Sequence, residues 1–128
     1  MPTIDISFKD LNTLISKDLT MEELEHEAIL RVKGEIDGVE GDMIKVDCKD
    51  SNRPDLWSTE GMARLIKPIY DPESRGIPEY TVNESNRYLH IDRTVDNIRP
   101  YIVLAVAKNV NITEDLLIQL IQLQEKVC

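Results

Sequence analysis

Aromatic side chains are scarce, with one Trp, one Phe and four Tyr in 128 residues. Any core must therefore be packed mainly from Leu, Ile and Val. There are two cysteines, Cys48 and Cys128, with no CxxC and no Cys/His cluster. This excludes a disulfide framework and points to a reducing, cytoplasmic compartment. No apolar run approaches the roughly 20 residues of a membrane helix. The longest, Tyr101 to Ala107, suits a buried strand covered on both faces. The opening MPTIDISFKD lacks the basic start and apolar core of a secretion signal. Gly34, Gly38 and Gly41 are spread over turns and do not gather into a phosphate loop.

Positive charge is short as well. The net charge is −9, concentrated in residues 1–60, where 15 acidic side chains face 7 basic ones. Such a surface repels a phosphate backbone, so direct RNA binding by this piece is disfavoured. Hydrophobic residues make up 41% of the chain, enough for a packed core.

Thr3 to Ser7 alternates Ile4 and Ile6 with polar neighbours, a strand pattern. Phe8, Leu11, Leu14 and Ile15 follow at helical spacing. Thr20-Met21-Glu22-Glu23 reads as a capping box. It opens a helix whose apolar stripe is Met21, Leu24, Ala28 and Val32, with Ile29 alongside, and Gly34 is placed to end it. Glu35–Glu40 and Met43–Asp47 read as two strands around a Gly41-Asp42 turn. From residue 69 to 86, Pro72, Gly76 and Pro78 punctuate polar sequence without periodicity. Tyr88–Ile91 and Tyr101–Ala107 read as strands. Thr113 caps a final helix with an apolar face of Leu116, Leu117, Leu120, Ile121 and Leu123.

The most informative stretch is Asp47–Gly61, DCKDSNRPDLWSTEG. Asn52 is a good N-cap, Pro54 fits a first helical turn and Asp55 suits the positive end of a helix dipole. The helix so opened is expected to stop before Pro68, since a residue preceding proline disfavours the helical region. Asp47, Asp50, Asp55 and Glu60 lack the ligand alternation and central Gly of a calcium loop. Asp55 is read as a helix-terminal charge, and Glu60 as a solvated or Arg-paired carboxylate. Arg53 is expected to fix the turn through planar contacts to carboxylates or carbonyls. Trp57 is either the core's main aromatic filler or an exposed partner contact. His26, among four glutamates, and His90 have no second ligand or nucleophile at usable spacing. Cys48 has only Lys45 and Lys49 near it in sequence, poor support for a catalytic thiolate.

The word N-R-P-D-L followed by S-x-E-G-x-A-R, within KVDCKDSNRPDLWSTEGMARLIK, resembles the N-terminal domain of the phenylalanyl-tRNA synthetase beta subunit, archaeal type. The opening MPTIDIS with KDLNTLI resembles the start of that subunit. RGIPEY, DNIRPYIVLAVAKNV and LLIQLIQLQEKV resemble the connection into the editing domain. The resemblance implies a non-catalytic part of a ligase. Aminoacylation with ATP and magnesium would sit in the alpha subunit, in an alpha/beta heterotetramer that binds tRNA. The editing-pocket residues would lie beyond Cys128. Asn52, Arg53, Pro54, Asp55, Leu56, Glu60 and Gly61 are then a structural motif, with no catalytic, cofactor or metal residue assigned in this chain.

The expected fold class is α+β. A small N-terminal module of short strands and helices covers residues 1–70, a linker 71–86, and a partial strand-and-helix unit, cut short, 87–128. The alternative to a synthetase fragment is a stand-alone acidic protein-interaction module derived from the same family.

Overall fold

The computed structural model describes residues 2–77 and 79–127; Met1, Pro78 and Cys128 lie outside them. Three antiparallel strands, β1 (Thr3–Ser7), β2 (Gly34–Glu40) and β3 (Met43–Cys48), form a sheet in the order β1-β3-β2. Ile4 pairs with Val46 and Ile6 with Ile44. This register puts all four of those side chains on one buried face. An irregularity between Ile36 and Gly38 inserts Asp37 as an extra residue of β2.

Helices cover that face. α1 (Phe8–Ile15) is capped by Ser7, whose hydroxyl accepts from the Asp10 N–H. α2 spans residues 21–31 and opens with the expected capping box. Its middle, Leu24–Ala28, is a π turn in which the Ile29 N–H reaches the Leu24 carbonyl. Leu24, Ala28, Ile29 and Val32 are buried against Leu11, Ile15, Met62 and Ile66, making the aliphatic core that the composition requires. α3 (Thr59–Tyr70) packs against α1. The mixed α+β class is as expected.

Several local expectations are corrected. α2 does not end on Gly34. Lys33 takes the left-handed conformation (φ 52°), and Gly34 is the first residue of β2. A Cβ on Gly34 would lie 2.9 Å from both Ile29 Cγ2 and Val46 Cγ1, so packing selects the glycine. α3 does not stop before Pro68 but runs through it to Tyr70. The missing N–H falls in the last turn, where Arg64 is exposed and water can take the freed carbonyl, and the Asp71 N–H closes the helix on Lys67.

The chain divides into two compact units. The first comprises 1–76 and 112–128, the second Ile77–Asn111. These boundaries differ from those expected at 70 and 86, because helix α4 (Glu114–Val127) docks on the first unit. The second unit has one 3-10 turn, Arg93–Val95, and no strand among its described residues. Tyr88–Ile91 and Tyr101–Ala107 are therefore not strands. A strand needs a ladder partner for its backbone groups, and none pairs with these segments among the described residues. Tyr101 and Val103 are 92% and 95% exposed, the reverse of the doubly covered strand expected there.

Candidate functional site

The Asp47–Gly61 segment leaves β3 and turns into α3. Backbone bonds from Lys49 N–H to the Lys33 carbonyl (3.1 Å) and from Arg53 N–H to the Asp50 carbonyl (3.3 Å) fix its path. Asn52 lies exposed in the turn and caps nothing. Pro54–Leu56 forms a separate 3-10 turn, and the α3 cap is Ser58, whose hydroxyl accepts from the Gly61 N–H at 3.1 Å. Sequence reasoning therefore placed the cap six residues early. The signal was present, since Ser58 stands before Thr59-Glu60-Gly61 at N-cap spacing, but Asn52-Arg53-Pro54 offered a competing start.

The charged pair Arg53 and Asp55 is spent within the motif. Arg53 Nε and Nη2 donate to the two carboxylate oxygens of Asp55 at 2.9 and 2.7 Å. That fork holds the Asp55 carboxyl below its usual range and raises the Arg53 guanidinium. Both side chains face solvent. Leu56 is buried in the core. Gly61 meets the turn directly: a Cβ there would lie 1.8 Å from the Asp55 carbonyl oxygen and 3.3 Å from the Leu56 Cα. Only glycine lets the PDL turn lie against the first turn of α3. Pro54 is exposed, and Glu60 is half-buried with no ion-pair partner among the described residues.

Trp57 is half-buried and packs on the core cluster. Its indole N–H and the Thr59 hydroxyl are buried without a hydrogen-bond partner among the described residues. Cys48 is buried, and burial, followed by the Asp47 charge, raises its thiol, the opposite of an activated nucleophile. Lys49 bridges Asp47 (2.7 Å) and Glu35, which raises its ammonium. Lys33 meets Asp50 at 3.1 Å. Asp47 and Asp50 are thus paired with lysines, and no group of three or more His, Cys, Asp or Glu is arranged for a metal among the described residues. His26 and His90 are both exposed.

Sequence reasoning missed Gln119 and Gln122. The Gln119 Oε1 accepts from the Thr59 N–H (2.9 Å) and its Nε2 donates to the Asp5 carbonyl (3.0 Å). Gln122 bonds both backbone groups of Asp5. Of the expected apolar face of α4, Leu116 and Leu123 are half-buried beside the buried Gln119, while Leu117, Leu120 and Ile121 are exposed; Thr113 caps the helix, accepting from Leu116 N–H at 3.2 Å.

No protein-family model matches the chain. It is 44% identical over 131 aligned residues to the phenylalanine–tRNA ligase beta subunit of Pyrococcus abyssi, covering 99% of this chain and 23% of that protein. The corresponding subunit of Pyrobaculum aerophilum is 34% identical over the same share. Among solved structures, an N-terminal fragment of the phenylalanyl-tRNA synthetase beta subunit from Pyrococcus horikoshii superposes with a TM-score of 0.88 at 44% identity. That match covers 98% of this chain and 37% of that one. Over nearly its whole length the chain is similar to the N-terminal region of the archaeal phenylalanine–tRNA ligase beta subunit. It spans about a quarter of the length of the curated relatives it matches.

Proposed function

We propose that this chain is the non-catalytic N-terminal scaffold of such a beta subunit, acting in the assembly of a phenylalanine–tRNA ligase. The observation that carries the reading is the self-contained motif. Arg53 and Asp55 satisfy each other, Leu56 fills the core, and Gly61 exists to let two backbone segments touch. The resemblance supplies the rest of the reading: an alpha subunit as partner in an alpha/beta heterotetramer, and ATP and magnesium used by the holoenzyme. On it, tRNA is bound by the whole enzyme rather than by this acidic piece, and residues 87–128 correspond to the start of the editing domain. A cytoplasmic location fits the family. Among the described residues, no helix is long and apolar enough to cross a membrane.

The test is made in a ligase whose beta subunit carries this region. Arg53→Ala, Asp55→Ala and Glu60→Gln should each leave the heterotetramer intact by sedimentation, with kcat/KM for aminoacylation within about twofold. A tenfold loss with assembly intact overturns the scaffold reading (roughly 1.4 kcal/mol of transition-state stabilisation).

A further inference from the structure

The free edge of β1 and the start of α3 carry backbone groups that their own elements leave unpaired. β1 is an edge strand, and the first N–H groups of a helix have no partner inside it. α4 brings side-chain amides to both. Gln119 Oε1 accepts from the Thr59 N–H (2.9 Å), while its Nε2 donates to the Asp5 C=O (3.0 Å). Gln122 Oε1 accepts from the Asp5 N–H (2.7 Å), while its Nε2 donates to the same C=O (3.1 Å) and to Gln119 Oε1 (3.2 Å). Gln119 is 3% exposed, and half-buried Leu116 and Leu123 flank the pair along the helix.

The chemistry of these contacts is selective. Each glutamine accepts from an N–H and donates to a C=O at once. A primary amide offers both groups, whereas a carboxylate only accepts. Glutamate at either position would therefore set an anionic oxygen against the Asp5 C=O. An apolar residue at 119 would leave the Thr59 N–H buried without a partner, which is costly. The spacing is helical, since residues three and four apart share a face. Leu116, Gln119, Gln122 and Leu123 accordingly form one stripe.

The dock is also separable from the chain between its halves. Its hydrogen bonds run from Gln119 or Gln122 to Asp5 or Thr59, and none of them uses Ile77–Asn111. The chain leaves this unit at Gly76 and re-enters it at Ile112. The intervening stretch acts as a tether that raises the local concentration of α4 without supplying these bonds.

We infer that the β1 edge and the α3 start form a helix-docking surface that reads side-chain amides. Its ligand is a helix of the pattern Leu-x-x-Gln-x-x-Gln-Leu, supplied in this chain by Leu116–Leu123. The surface also takes such a helix from a separate chain, and a partner carrying the pattern competes with α4 for Asp5 and Thr59. The inference does not depend on the scaffold reading.

The test uses the 128-residue chain with Gln119→Ala and Gln122→Ala, which disables its own α4. It is titrated with a wild-type peptide of residues 111–126 and followed by amide NMR. The Asp5 and Thr59 signals should move saturably toward their wild-type positions with a Kd of about 1 mM or tighter, while Ile44 in the central strand stays in place. The same peptide with Gln119→Glu and Gln122→Glu should bind at least about tenfold more weakly. No saturable shift overturns the inference, and so does equal binding of the two peptides. A second measurement leaves the dock unmutated and decides the matter even if the double variant unfolds. The wild-type chain, cut once at a protease site engineered within Ile77–Asn111, should keep Asp5 and Thr59 at their uncut positions. Displacement of those two signals by the cut would overturn the inference, because the dock would then need its tether.

Discussion

The side-chain amide of Gln122 meets Asp5 as the peptide group of a neighbouring strand would. Its Oε1 accepts from the Asp5 N–H at 2.7 Å and its Nε2 donates to the Asp5 C=O at 3.1 Å. β1 is an edge strand, and edges with unpaired backbone groups invite adventitious pairing. Here a side chain from 117 positions away stands in for the missing strand.

The two glutamines should differ in cost. Gln119 is buried and serves two elements, so Gln119→Ala strands the Thr59 N–H and should cost about 1–3 kcal/mol. Gln122 is more exposed, water can replace it, and Gln122→Ala should cost about 0.5–1.5 kcal/mol. Urea denaturation of the two variants measures the order. Equal values would deny Gln119 its place at the head of α3.

Gly61→Ala should be the most damaging conservative change in the central motif. The new methyl would meet backbone, not a yielding side chain, so the turn or the helix must move, with a loss of about 3 kcal/mol or more. Gly38→Ala, with nothing within 4 Å of its added carbon, should stay within about 0.5 kcal/mol. Melting temperatures of the pair check the contrast.

Trp57 packs on the core with its indole N–H unpartnered. Trp57→Phe keeps most of the packing and removes the stranded donor, so stability should change by less than about 1 kcal/mol. Trp57→Ala should cost at least about 2 kcal/mol. Chemical denaturation decides, and a neutral alanine variant would favour a partner-contact role instead.

The capping box gives an acid-side dependence. The Thr20 N–H, followed by Lys17, holds the Glu23 carboxyl below its ordinary value of about 4.3. Its contribution is therefore present above that value and lost as pH falls through the lowered one. The NMR titration of Glu23 should show the depressed midpoint, and Thr20→Pro, which removes the N–H donor, should move it back up.

Much of the first 60 residues was legible because periodicity and capping are local. The alternation of Ile4 and Ile6, the Thr20 box and the Met43–Cys48 strand all appear as the pattern implies. Errors arose where tertiary contact overrides a local signal. Gly34 looked like a helix terminator but is a packing glycine beneath Ile29 and Val46. Asn52 looked like a cap, while Ser58 holds that post. Pro68 is tolerated because its lost bond opens to solvent. The Tyr101–Ala107 run has strand composition, but composition cannot supply a ladder partner. The dock of α4 was illegible for the same reason: its hydrogen bonds are with Asp5 and Thr59, more than 50 positions away, and the apolar stripe includes Leu117, Leu120 and Ile121, which are exposed, beside the half-buried Leu116 and Leu123.

The most direct measurement is an amide NMR titration of the 128-residue chain with phenylalanine tRNA at low salt. If the exposed charges of the 52–61 motif are spent on each other, as in the Arg53–Asp55 pair, no shift is expected from Arg53 to Glu60 up to a several-fold excess of tRNA. Specific, saturable shifts centred on Arg53, Trp57 and Glu60, weakening as salt rises, would contradict it and make the motif a nucleic-acid contact.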